Sequence, residues 1–105
     1  MKNSSIYEVV VYEVKEGNES KDYIQKEVNN AVSKYKGFIS RQVFQSTENP
    51  DIFMDYCEWD SLENATDAAE SSQKDPELAP FMALISEVKS FYHLEKVRHE
   101  TAESI

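Results

Sequence analysis

The sequence predicts an α+β domain: a four-stranded antiparallel sheet with its helices on one face. Three observations lead there. Four segments, at 6–14, 38–45, 52–59 and 88–97, are rich in β-branched and aromatic residues. Between the first two, Ile24, Val28, Ala31, Val32 and Tyr35 recur at the i, i+4, i+7, i+8, i+11 spacing of one helical stripe. Between the second and third, Ser46-Thr47-Glu48-Asn49-Pro50-Asp51 is dense in turn formers and predicts a hairpin.

Taken in order, the segment at 6–14 has a single Glu in each alternating set and reads as a mostly buried strand that Gly17-Asn18 ends. Ser20 is placed to cap the first helix, Asp22 suits its first turn, Lys34 and Lys36 its last, and Gly37 its left-handed exit. The strand at 52–59 runs into a second helix, with Trp59 at the corner and Asp60 followed by Glu63 as a capping signature. Leu62, Ala65, Ala68 and Ala69 form that helix's stripe as far as Ser71-Ser72. Asp75-Pro76 restarts the helical pattern, with Pro76 at the first helical position, and Leu78, Phe81, Met82 and Ile85 continue it; Pro80 is expected to break the segment in two. The order strand, helix, strand, strand, broken helix, strand is that of the ferredoxin-like βαββαβ arrangement. Both alternating sets of several strands carry large apolar residues: Val10 and Tyr12 against Val9 and Val11, Met54 and Tyr56 against Phe53 and Trp59. The face away from the helices therefore calls for a cover, and a second copy, making a homodimer through the sheet face, is the simplest one.

At 105 residues and 40% hydrophobic, the chain is expected to be one domain over 1–105, with an ordered core at about 5–98 and a polar C-terminal tail at 99–105. Its net charge of -9 is scattered along the chain, which argues against nucleic-acid and membrane partners, since phosphate binding needs clustered Lys and Arg. No apolar run approaches the roughly 18 residues of a membrane span. Met1-Lys2-Asn3-Ser4-Ser5 leads directly into a strand without a signal-peptide core, so the expected location is cytoplasmic. Cys57 is the sole cysteine, which excludes an internal disulfide and a multi-cysteine metal site.

The opening strand Tyr7-Glu8-Val9-Val10-Val11-Tyr12-Glu13-Val14, the helix exit Lys36-Gly37-Phe38, the run Tyr56-Cys57-Glu58-Trp59-Asp60-Ser61-Leu62-Glu63, and Pro80-Phe81 together resemble the antibiotic biosynthesis monooxygenase (ABM) family of the dimeric α/β-barrel superfamily. The resemblance covers nearly the whole chain. It implies a homodimer whose two sheets form a barrel, and a cavity between sheet and helices in each subunit. It also implies relatives that include cofactor-independent oxygenases of quinol-like aromatics and haem-degrading oxygenases. The sequence departs at Ala68, where many members carry His and haem-degrading members Trp.

Trp59, Tyr56, Tyr12, Phe81 and Met82 are the candidate substrate-binding residues, with His93 and Arg41 as the catalytic candidates and no cofactor or metal expected. Trp59 could stack on an aromatic substrate or simply plug the core. His93 could accept a phenol proton, the unperturbed imidazole value of about 6.5 being close to working pH, or be a satisfied sheet residue. Arg41 and Asp55 could pair across the hairpin; facing the cavity, Arg41 could hold a carboxylate or phenolate. Tyr7, Tyr12, Tyr56 and Tyr92 could line a cavity or a dimer interface, and Cys57 reads as a small hydrophobe. Three functions remain open on these residues: a cofactor-independent monooxygenase of a small quinol-like aromatic, a non-catalytic small-molecule or haem-binding protein with His93 as axial ligand, and a dimeric scaffold without enzymatic activity.

Overall fold

The computed structural model describes residues 5–15 and 21–102. Its elements are β1 (Ile6–Val14), α1 (Lys21–Val32), β2 (Phe38–Gln45), β3 (Ile52–Trp59), α2 (Leu62–Ser72), α3 (Ala79–Leu84) and β4 (Ile85–Glu95). All strand pairs are antiparallel, in the order β2-β3-β1-β4. This is the ferredoxin-like topology the element order predicts, with β3 and β1 in the middle of the sheet and β2 and β4 at its edges.

Alternation along β1 sorts the sheet into two faces. Ile6, Tyr12 and Val14 are buried beneath the helices, with Glu8 buried beside them. Cross-strand register carries the same face through Phe53, Asp55, Cys57 and Trp59 on β3 and through Arg41 on β2. Two apolar clusters fill the space between sheet and helices. One gathers Tyr12, Val14, Val28, Ala31, Phe53, Leu78 and Phe81. The other gathers Ile6, Cys57, Trp59, Ala65 and Ala68. Val32 packs against both.

The first three strands have the bounds the sequence predicts, whereas the helical segments differ in instructive ways. Helix α1 ends at Val32, and the chain passes through bonds from Lys34 N to the Ala31 carbonyl and from Tyr35 N to the Val32 carbonyl before Gly37. Lys34 and Lys36 thus lie beyond the last helical turn. The predicted cap at Ser20 and the turn at Gly17-Asn18 fall outside the described residues, as does the side chain of Ile24. Ser61, not Asp60, caps α2: its backbone is extended and its Oγ accepts from Asn64 N at 3.1 Å. Asp60 instead accepts from the Asn64 side-chain amide at 2.8 Å, which a residue outside the helix can reach and a cap need not. Leu62, expected on the buried stripe, faces solvent.

Pro80 does not break a helix but sits in the first turn of α3, where its missing donor costs nothing. The interruption lies earlier, at residues 73–78. There Asp75 Oδ1 accepts from Glu77 N at 2.9 Å and the Asp75 carbonyl from Leu78 N at 3.0 Å, so Asp75-Pro76 forms a side-chain-closed turn and does not start a helix. Strand β4 begins at Ile85, three residues before the expected start, because Ile85 pairs with Val14 across an irregularity in the β1–β4 ladder. No helix among the described residues is long and apolar enough to cross a membrane.

Gly37 carries the exit the sequence predicts, with φ at +87°. It is also hemmed in: a Cβ there would lie 2.5 Å from Asp60 Oδ1 and 2.7 Å from Asn64 Cβ, while its carbonyl accepts from Asp60 N at 2.9 Å. Left-handed backbone costs an L-residue about 1–2 kcal/mol before any collision. Gly37→Ala is therefore expected to destabilise the fold by about 2 kcal/mol or more, read as a lower urea midpoint at unchanged slope. An unchanged midpoint would contradict this account of the α1–β2 corner.

Candidate functional site

Between the two apolar clusters lies a cavity of about 240 Å³. Its floor is the inner face of the sheet, with Glu8, Tyr12, Arg41, Asp55 and Trp59, and its roof comes from Val28, Val32, Ala68, Phe81 and Met82. Small side chains make the room. Ala65 and Ala68 are both buried, so α2 approaches Trp59 without filling the space beside it. Toward β4 the lining includes Val88 and Phe91, both exposed, as is Met82, so the mouth opens along the edge strand.

Trp59 is positioned from three directions. Its ring meets Phe38 edge-on at 5.6 Å, it is 1% exposed, and its Nε1 donates to Glu8 Oε1 at 3.0 Å. Tyr12 is packed as tightly, stacked on Phe53 at 5.9 Å and edge-on to Phe81 at 5.5 Å.

The polar part of the floor is one connected network. Arg41 Nη2 and Nε donate to Asp55 Oδ2 at 3.0 and 3.2 Å, with the Arg41 side chain 3% exposed. Arg41 Nη1 donates to the Gln25 carbonyl at 3.3 Å, and Nη2 also donates to Gln25 Oε1. Tyr12 Oη donates to Asp55 Oδ1 at 2.8 Å and accepts from Gln25 Nε2 at 2.9 Å. A buried arginine is tolerated on such terms because each charged group meets both an opposite charge and neutral partners. The consequence for chemistry is that the Arg41 charge is already matched by Asp55. Burial, with Asp55 next, raises the Tyr12 phenol far above its ordinary range, so Tyr12 is a fixed donor and no source of phenolate. Burial likewise pushes the Cys57 thiol up to about 12, which leaves it unionised at neutral pH and without nucleophilic use.

His93 is next to the site without lining it. Its Nε2 lies 3.7 Å from Glu8 Oε2, too far for a hydrogen bond, and is a buried nitrogen with no hydrogen-bond partner among the described residues. His93 stands opposite Glu8 on the helix-facing side of β4, outside the cavity's lining. Of the residues singled out from sequence, the fold brings together Arg41, Trp59, Tyr12, Phe81 and Met82 around one space. Tyr56 is not among them: it pairs with Val9 and stacks on Tyr7 at 5.6 Å on the opposite face, because substituents of adjacent strand residues alternate. Tyr92, paired with Val9 from the other side, is on that face too.

Sequence reasoning missed Glu8 and Gln25. Glu8 was legible as the one acidic residue in the alternating set that holds Ile6, Val10, Tyr12 and Val14. Gln25, on the polar side of a helical stripe, carried no signal.

Fold and cavity together define a ferredoxin-like α+β protein with a small space between sheet and helices that opens toward β4. The model of the antibiotic biosynthesis monooxygenase family matches residues 5–77, and the chain belongs to that family. Among solved structures it is similar to a conserved protein from Bacteroides thetaiotaomicron described as a possible oxidoreductase, at 25% identity and a TM-score of 0.69, covering 90% of this chain and 100% of that one. A candidate antibiotic biosynthesis monooxygenase from Chloroflexus aurantiacus matches at 20% identity and a TM-score of 0.71, covering 93% and 98%. SnoaB, a cofactor-independent oxygenase from Streptomyces nogalater, matches at 11% identity and a TM-score of 0.71, covering 96% and 99%. No curated protein matches the chain.

The electrostatics of Glu8 lead to a prediction. Burial raises its carboxyl above the ordinary value of 4.5; the Trp59 bond and His93 pull it back, and Asp55 pushes it up further. The folded chain thus holds this proton more tightly than the unfolded one. Its stabilising contribution is complete below pH 4.5 and is lost as pH rises through the folded value. Glu8→Gln, which keeps an acceptor for Trp59, is expected to raise the urea midpoint at neutral pH and to lose that advantage in acid. A variant less stable than the parent at neutral pH and level with it in acid would reverse the sign and refute the assignment.

Proposed function

We propose that the protein is a cofactor-independent monooxygenase of a small quinol-like aromatic, acting as a cytoplasmic homodimer. The observation that carries this reading is the cavity itself: a space with aromatic walls at Trp59, Tyr12 and Phe81, whose polar groups are held in fixed positions, in a chain of the monooxygenase family. A quinol placed there loses its water shell and meets groups that need not reorganise when charge develops on it. In the overall reaction one atom of oxygen enters the substrate and the other leaves as water, with all electrons drawn from the quinol.

Trp59, Tyr12, Phe81 and Met82 are the substrate-binding residues in this reading. Arg41 acts at the floor, where its Nη1 retains one N–H beyond those bound to Asp55 and Gln25. His93 reaches the cavity only through Glu8 and is a positioning residue for it. Oxygen uptake with a naphthohydroquinone is expected to exceed autoxidation and to saturate, and Arg41→Lys to lower the rate about tenfold, since an ammonium cannot hold Asp55 and Gln25 together. Uptake no faster than autoxidation across a panel of such quinols would leave the second reading, a dimeric scaffold or passive small-molecule binder. One observation favours the scaffold over the binder: the cavity, at about 240 Å³, is smaller than the roughly 300–1,000 Å³ of most ligand pockets.

The homodimer is supported by the sheet's open face. Tyr7, Val9, Val11, Met54 and Tyr56 lie there in register, with Phe44, Tyr92 and Leu94 exposed at its margins. That is a contiguous apolar patch of the kind that marks an interaction surface. Light scattering is expected to give twice the 12.1 kDa chain mass, and Tyr56→Arg to shift it toward 12.1 kDa. A parent protein of 12.1 kDa would sink the dimer.

A further inference from the structure

The cavity's hydrogen-bonding capacity is lopsided. Most donors of its floor are taken: Arg41, save one Nη1 hydrogen, by Asp55 and Gln25, Tyr12 by Asp55, and the Trp59 indole by Glu8. Asp55 is taken as well, with Oδ1 accepting from Tyr12 and Oδ2 from Arg41. Glu8 differs. Its Oε1 accepts from Trp59, but its Oε2 accepts no hydrogen bond among the described residues, with His93 Nε2 standing 3.7 Å away. Glu8 lines the cavity while His93 behind it does not. The open acceptor of the floor is therefore Glu8 Oε2, on a carboxylate held by the Trp59 indole at Oε1 and flanked by the His93 imidazole at Oε2.

We propose that Glu8 Oε2 receives the hydroxyl of an uncharged phenol-type ligand, and that the cavity turns away anionic ligands of the same shape. This rests on the reading of the cavity as a ligand site. It replaces the expectation that Arg41 captures a carboxylate or phenolate, because such an anion would have to displace Asp55 from a buried pair and would face Glu8 unmatched. In the proposed reaction the contact also moves a proton. The phenol O–H bond breaks, an O–H bond forms on Oε2, and the carboxyl so formed donates back to the phenolate it created. The developing anion then faces a neutral carboxyl, with His93 beside it to hold the carboxyl's position. The raised Glu8 carboxyl suits this exchange, since a carboxylate closer to neutrality in proton affinity is a better base toward a phenol.

Trp59 is the chain's one tryptophan, so its indole N–H gives a single resonance that sits on Glu8 and reports on the cavity directly. The test is a titration of that resonance at neutral pH with 2-naphthol, 2-naphthoate and 2-methoxynaphthalene, which share a ring system and differ in the group offered to Glu8. The expected result is that 2-naphthol binds about tenfold or more tightly than either of the others, the scale of one hydrogen bond to a charged acceptor. Glu8→Gln is expected to bring 2-naphthol and 2-methoxynaphthalene within about threefold of each other and to admit 2-naphthoate. Equal affinities in the parent protein, or a preference for 2-naphthoate, would overturn the role of Glu8 while leaving the cavity a ligand site. A resonance unmoved by all three probes would overturn both.

Discussion

The indole–carboxylate bond between Trp59 and Glu8 is the constraint on which the site depends. A carboxylate on the helix-facing side of β1 cannot be left among Ile6, Cys57 and Ala65 without a donor, since unpaired burial of a charge costs several kcal/mol. Trp59 supplies that donor from the end of β3, one strand away, and its ring packs with Ala65 and Ala68 of α2. Two alanines on α2 follow from that position: a larger residue at Ala65 or Ala68 would contest the volume the indole occupies. The cavity is what remains when a helix of small residues spans a ring held down by a hydrogen bond.

The same reasoning accounts for the other half of the floor. Arg41 and Asp55 are a diagonal pair across the β2–β3 hairpin, since Arg41 stands opposite Cys57 and Asp55 opposite Val43. Buried pairs of this kind contribute little net stability and lose several kcal/mol when one partner is removed. Their use here is geometric: together with Gln25 from α1 and Tyr12 from β1 they tie three strands and a helix at one point. A network satisfied but for one Arg41 N–H leaves few groups for a ligand, so the proposed contact at Glu8 Oε2 does not depend on the formal charge of Arg41.

Much of the fold was legible because its signals are local. The β-rich segments at 6–14, 38–45 and 52–59 stand against turn-forming residues on their flanks, and Gly37 marks a backbone conformation that few other residues adopt. The errors fell where two local devices compete. At Asp60-Ser61 either residue can cap a helix, and the choice was made by the tertiary bond from Asp60 N to the Gly37 carbonyl, which fixes Asp60 outside α2. At Asp75-Pro76 a helix start and an Asx turn share one sequence, and the short link to α3 selected the turn. Within the site, the aromatic residues and Arg41 were visible as residue types, but the assignment of Tyr56 was not. Both alternating sets of β3 are apolar, so nothing within the strand says which set faces the helices. Glu8 could have settled it: pairing Glu8 with Cys57 in the central register places Cys57 and Trp59 inside and Tyr56 outside.

Strand alternation then separates two tasks that the sequence seemed to confuse. Four tyrosines on β1, β3 and β4 looked interchangeable, as lining for a cavity or as an interface. The register sends Tyr12 alone to the cavity and Tyr7, Tyr56 and Tyr92 to the open face. On β4 the irregularity between Val11 and Tyr12 does the corresponding work, keeping Val88 on the inner face with Phe91 even though the two are three positions apart. A second copy docked on the open face would cover the stacked Tyr7–Tyr56 pair while leaving Val88 and Phe91 at the rim of the cavity. In the proposed homodimer, association and access would thus fall on opposite sides of one sheet, and a change to either set of side chains would act on one without reaching the other.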